Sequence, residues 1–245
     1  MKPLFCSALL LLTFSLSAQA PVAVPIPQEP HHHLVLENEY VRVFRVSVPA
    51  HESTLLHQHD VPYLYVALGP ADVINAVQGK PEAHLVLADG QLGYSPGHFA
   101  HIARNDSDLP FNNVTIELLK PQGKPENICE KIVDGPFNEC GNSDPTSSFR
   151  VTALFNTAEV WAGSFRFSPP LNYSEPAPAP GELVIAYENS ELQVDVPGKP
   201  LKTLRGGEVL WIDAGKLPTI VATEEHKATR FLLVRFKENS VTNKP

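Results

Sequence analysis

The sequence predicts an all-β protein of two tandem domains, each a sandwich or barrel of short strands. Three observations carry that prediction. A chain of 245 residues is long for one average domain and comfortable for two of roughly 100 residues each. It holds 24 prolines and 14 glycines, with 43% hydrophobic and 19% charged residues, a composition suited to many strands and turns rather than to a helical bundle or a disordered chain. Its apolar residues recur with period two in short runs, and no stretch carries the 3.6-residue period of a helix.

Along the chain, Lys2 precedes an apolar run through Leu9, Leu10, Leu11, Leu12 and Phe14, which ends in the small-residue tripeptide Ala18-Gln19-Ala20. Residues 1–20 therefore read as a secretory signal peptide, too short to span a bilayer, and the mature chain is expected to be exported, periplasmic or extracellular, and free of the membrane. Residues 21–33 are proline-rich and end in His31, His32 and His33. They are expected to form an extended leader that packs across the first barrel; its three histidines look like a metal tract, but a solvated stretch is the expected reading, because consecutive side chains on an extended chain point to opposite faces.

The first domain is expected over residues 34–120. Val41 to Val46, Tyr63 to Leu68, His84 to Leu87 and Val114 to Leu119 are its clearest strands, with Gly69-Pro70, Gly79-Lys80-Pro81 and Asp89-Gly90 as turns. Residues 121–148 carry Pro, Gly, Asn and Ser and mark the boundary. Cys129 and Cys140 fall in this linker, and once Cys6 leaves with the signal they are an even pair in an oxidising compartment. A disulfide between them would close a loop of about ten residues and contribute roughly 2 to 3 kcal/mol.

The second domain, residues 149–245, repeats the first in outline. Glu182 to Tyr187 answers Tyr63 to Leu68, Gly207 to Trp211 answers Gly90 to Tyr94, and Phe231 to Phe236 answers the strand at Val114. An internal duplication is the simplest account.

A formal net charge of -8 and 19 scattered Lys and Arg argue against a nucleic-acid partner, which needs clustered basic residues. The chemistry is concentrated instead in His57-Gln58-His59 and, about forty residues on, in Pro96-Gly97-His98-Phe99-Ala100-His101 with Asn105. Residues two apart on a strand share a face, so His57 and His59 can face one ion. A third imidazole from a neighbouring strand, His101, would complete a site with open positions for one divalent transition metal, Fe, Cu, Ni, Mn or Zn. Such a site is expected to weaken as the pH falls below about 6.

These two motifs at this separation resemble the cupin family. His57, His59 and Gly69 match its first motif, and Gly90, Pro96, His101 and Asn105 match its second. The resemblance implies two tandem cupin-type (jelly-roll) β-barrels, the first with a three-His metal site and the second degenerate. Where the family carries a glutamate ligand, this chain has Pro62-Tyr63-Leu64, which makes Tyr63 a wall, a hydrogen-bond donor or a phenolic ligand. His51 and His98 replace glycines and are expected, with Asn105, at the barrel mouth or around the pocket. In the second half, the positions answering His57 and His59 are expected near Pro176 and Pro178, in a proline-rich stretch without histidine, and Pro218 is expected to answer His101. The resemblance implies a metal-dependent enzyme on a small organic molecule, oxygenase-like rather than an isomerase because no glutamate offers itself as a base, or else a non-catalytic small-ligand binder. By the same analogy a homodimer would pair through the edge strand at residues 34–46.

Overall fold

The computed structural model describes residues 22–125, 149–169, 171–223 and 228–238. The first half contributes β1 (Val24–Pro25), β2 (His32–Glu37), β3 (Val41–Val48), β4 (His57–His59), β5 (Tyr63–Leu68), β6 (Ala71–Val77), β7 (Ala83–Leu87), β8 (Leu92–Ser95), β9 (Phe99–Asn105) and β10 (Phe111–Leu118). They form two facing five-stranded sheets, β1-β4-β9-β6-β7 and β2-β3-β10-β5-β8.

The second half contributes β11 (Phe149–Asn156), β12 (Val160–Phe167), β13 (Asn172–Tyr173), β14 (Pro180–Ala186), β15 (Leu192–Asp195), β16 (Lys202–Leu204), β17 (Val209–Asp213), β18 (Thr219–Ala222) and β19 (Thr229–Lys237). Its sheets run β11-β12-β19-β14-β17 and β13-β18-β15-β16. No helix among the described residues is long and apolar enough to cross a membrane. Cys129 and Cys140 lie outside the described residues.

The order β3-β10-β5-β8 in one half and β12-β19-β14-β17 in the other is the duplication seen as topology. Both sheets are apolar on both faces. On β5, Leu64, Val66 and Leu68 face the other half of the molecule, where they join Val114, Ile116, Leu183 and Leu232 in a single apolar cluster. Ala67 and the half-buried Tyr65 face inward, onto the core of the first barrel with Phe44, Val46 and Phe111. Strands buried on both sides read as near-continuous hydrophobic runs, which is why Tyr63 to Leu68 and Phe231 to Phe236 stand out in the sequence.

The cluster between the barrels includes Tyr187 at 1% exposure and Phe155 at 2%. Its edge is pinned by polar contacts across the halves. Arg230 donates to Asp89 at 3.0 Å, and its guanidinium lies 4.8 Å from the centre of the Tyr187 ring.

The leader packs across the first barrel, with Val24 paired in parallel register to His57, a 3-10 turn over Ile26–Gln28, and Ile26 and Glu29 buried; the departure from expectation is that His32 is buried, not solvated. Alternation on an extended strand sends one of three consecutive histidines inward, and His32 is that one.

A core substitution in the shared layer tests whether the halves unfold together. Leu232→Ala, at a fully buried position, should lower stability by about 2 to 5 kcal/mol. Urea unfolding followed by circular dichroism and by the fluorescence of Trp161 and Trp211, both in the second half, should give coincident midpoints. Separate transitions would mean that the layer does not couple the barrels.

Candidate metal centre

β4 and β9 pair antiparallel with His57 directly opposite His101, and His59, two residues from His57, projects to the same side. One ligating nitrogen from each of the three rings falls within 4.8 Å of the others. Ring centroids lie 4.4 Å apart for His57 and His101, 5.0 Å for His59 and His101, and 5.1 Å for His57 and His59. The cluster opens on a cavity of about 500 Å³ in the first barrel.

Two of the three tautomers are set by acceptors behind the rings. His57 Nδ1 donates to the Leu55 carbonyl at 2.9 Å, and His101 Nδ1 donates to Asn75 Oδ1 at 2.6 Å. Both therefore present an Nε2 lone pair to the centre, the arrangement by which outer hydrogen bonds orient metal-binding imidazoles. His59 Nε2 lies 3.0 Å from His101 Nε2, while its Nδ1 is buried without a partner. The His101 Nε2 lone pair with a second imidazole nitrogen 3.0 Å away and a third converging on them fit a transition metal, which prefers neutral nitrogen ligands and would take all three Nε2 lone pairs at once.

No protein-family model matches the chain, and no curated protein matches it. Solved structures do. AerE from Microcystis aeruginosa superposes with a TM-score of 0.58 at 11% identity, over 86% of this chain and 99% of its own. A cupin 2 conserved barrel domain protein from Leptotrichia buccalis gives 0.53 at 14% identity, over 84% of this chain and 88% of its own. A salicylate 1,2-dioxygenase from Pseudaminobacter salicylatoxidans gives 0.57 at 11% identity, over 83% of this chain and 75% of its own. The chain has the bicupin fold.

Within this bicupin the remaining sequence candidates separate. Tyr63 is a wall: it is buried, stacked on His59 with ring centroids 4.0 Å apart, and burial raises its phenol above the ordinary range while Ser95 offers it a hydrogen bond. His98 and His51 do not line the cavity. Both take a φ of 61°, which is why the family has glycine at these turns. The His98 side chain is exposed, but its backbone N–H donates to the His59 carbonyl at 2.6 Å, so the second motif's turn holds the His-x-His strand through the main chain. His51 points to solvent and pairs with Asp108.

Asn105 is fully buried but staples loops instead of facing the pocket. Its Nδ2 donates to the carbonyls of Val48, Pro49 and Leu109. Two functional candidates were missed by sequence reasoning, His32 and Glu29, which reach the site from the leader. The only sequence signal for them is the run of histidines itself.

In the second barrel the Gly215 N–H donates to the Ala177 carbonyl as His98 donates to His59, so Ala177 answers His59 and Glu175 answers His57, each next to one of the prolines near which these positions were expected. Arg235 bridges Glu175 at 2.6 Å and Glu182 at 3.3 Å; by strand register it answers Glu117 of the first barrel, and Glu182 answers Tyr63. Burial pushes the Glu182 carboxyl up to about 7, against the pull of Arg235. His226 lies outside the described residues.

Burial governs the titration of the site. It pushes His57 down to about 4, with help from neighbouring His32, and His101 down to about 3, with help from His57 and His32; His59 is lowered further for the same reasons. These rings stay neutral well below pH 6, so proton competition for metal should begin nearer pH 4 than the sequence alone suggests. The folded values lie below the unfolded value of about 6.5, so the unfolded chain binds more protons through this window. Stability of the metal-free protein is therefore complete above about pH 6.5 and falls as the pH drops toward 4. His57 alone should cost about 2 kcal/mol at pH 5, measurable as a shift in urea midpoint between pH 7 and pH 5; a midpoint independent of pH would contradict the buried, neutral assignment.

Proposed function

We propose that this chain is an exported, metal-binding bicupin in which His57, His59 and His101 hold one divalent transition metal, and that it is an oxygenase-like enzyme acting on a small organic molecule in the first barrel. The observation that carries this reading is the convergence of three neutral imidazoles, two with tautomers set from behind, on the wall of a ligand-sized cavity. Iron, copper or nickel held there would supply one-electron chemistry toward dioxygen, and zinc or manganese would polarise a substrate oxygen.

The chain's own residues would do the rest. Tyr63 and Phe99 flank His59 and give a ligand an aromatic surface. Val73, Leu85, Leu87 and Phe111 line the cavity and keep water from the reacting centre. Among the described residues no carboxylate lines the cavity itself, Glu29 reaching it only through His32, which favours metal-led oxygenase chemistry over proton-transfer isomerisation. The same observation supports a second reading, in which the barrel holds its ligand without turning it over.

The β2 edge, with Leu34 and Val35 about half exposed, is the surface through which we propose that two copies pair. Light scattering across a concentration series should give twice the chain mass; a constant monomer mass would exclude this pairing.

Metal analysis by plasma mass spectrometry on the mature, untagged protein tests the central proposal. About one equivalent of a transition metal is expected in the wild type and less than a tenth of that in the His57→Ala/His59→Ala/His101→Ala variant. No metal after reconstitution would sink the metalloprotein reading, and a loaded protein that consumes no dioxygen with any bound ligand would favour the binding protein.

A further inference from the structure

Strand β10 alternates between two environments. Val114, Ile116 and Leu118 join the apolar layer between the barrels, so Asn113 and Thr115 face the other way, and both line the cavity of the first barrel. They stand across that cavity from the histidines: β10 lies in the sheet with β3 and β5, while His57, His59 and His101 belong to the facing sheet. Thr115 is opposite Tyr65 on β5, and Asn113 is opposite Ala67. Tyr63, which stacks on His59, precedes Tyr65 by one same-face step of about 7 Å. Thr115 is thus one such step along the barrel from the level of Tyr63, and Asn113 is two.

Asn113 is 5% exposed and Thr115 4%. Buried polar side chains normally have their hydrogen bonds met by the protein, and these two meet only each other. Thr115 Oγ1 donates to Asn113 Oδ1 at 2.9 Å, and among the described residues no other group meets either side chain. Elsewhere on the wall the fold uses such atoms itself: Asn75 Oδ1 accepts from His101 and Thr54 Oγ1 from the Ala103 N–H. The pair therefore offers the cavity the Asn113 Nδ2 as donor and a Thr115 Oγ1 lone pair as acceptor. Turning the amide over gives the same pattern, because Nδ2 would then donate to Oγ1 and free the hydroxyl hydrogen as donor and Oδ1 as acceptor. Either way a donor stands beside an acceptor, and neither side chain titrates. Such atoms are costly to leave unmet in a largely apolar cavity.

We infer that Asn113 and Thr115 are a second anchoring point for the ligand. They take an uncharged group that both donates and accepts, a hydroxyl or a primary amide, at the far end of a small ring whose near end reaches the metal. This reading of the pair rests on the metal-centre proposal and deepens it.

Cobalt(II)-loaded protein, titrated under nitrogen with 3,4-dihydroxybenzyl alcohol and with 4-ethylcatechol, tests the pair through the visible absorption of the metal. The two probes chelate alike and differ at the far end by a hydroxyl against a methyl of similar size. The alcohol should bind at least tenfold more tightly, although it is the less apolar of the two. Thr115→Val and Asn113→Leu should each abolish that preference and leave cobalt stoichiometry unchanged, whereas Thr115→Ser, which keeps the hydroxyl, should retain it. The wild-type comparison stands even where a variant does not fold. Equal affinities in the wild type would assign the pair to bound water and overturn the inference, as would a preference that survives in folded Thr115→Val and Asn113→Leu. If the wild type takes up no cobalt, the metal-centre reading fails separately. Calorimetry of both probes on the metal-free protein then decides, with no preference for the alcohol counting against the inference.

Discussion

Burial on both faces of the sheet carrying β3, β10, β5 and β8 is the constraint on which the other features rest. One face packs against the matching sheet of the second half through Leu64, Val66, Ile116, Leu183 and Leu232, while the other closes the first barrel through Phe44, Val46 and Phe111. A sheet held from both sides cannot slip register, since a one-residue shift would exchange its two apolar faces. The facing sheet is then free to spend its inward positions on histidine, and the cavity survives because the core beneath it is anchored elsewhere.

This arrangement also gives the second barrel a role that needs no metal. Its sheet supplies half of the layer between the barrels. Its interior holds Phe165 stacked on Phe231 at 5.0 Å, with Tyr173 against them, and Arg235 bridges Glu175 and Glu182 beside them. The duplicated fold thus divides its tasks: one barrel keeps a ligand-sized space with three converging imidazoles at its wall, and the other supplies an apolar sheet against which the first is held.

The depth of the first site follows from the same burial. Imidazoles removed from water lose their affinity for protons, so the three rings remain available as ligands across the range in which free histidine would be half charged. Hydrogen bonds from the rings to the Leu55 carbonyl and to Asn75 Oδ1 choose which nitrogen faces inward. Neither partner belongs to the motif that signals the site.

His57, His59 and His101 were readable in the sequence because a period of two and the spacing between motifs depend only on strand geometry. The doubled domain was readable because its buried strands recur in the same order. The glycine-replacing positions of His51 and His98 already pointed to turns at the barrel mouth, but sequence could not show that Asn105 staples loops, since a loop that needs stapling uses the same polar residues as a pocket does. Nor could it place Glu29 and His32, whose meeting with His57 depends on the leader folding back to pair with β4 across more than twenty intervening residues. The sequence by itself determined the strand pattern, the duplication and the identity of the three converging histidines, because these are local periodicities. Only the tertiary structure decided that Glu29 and His32 of the leader reach the site, that Ala177 and Glu175 stand where His59 and His57 stand in the first barrel, and that among the described residues no Lys, Arg, Asp or Glu lines the cavity, because each depends on which distant strands share a wall.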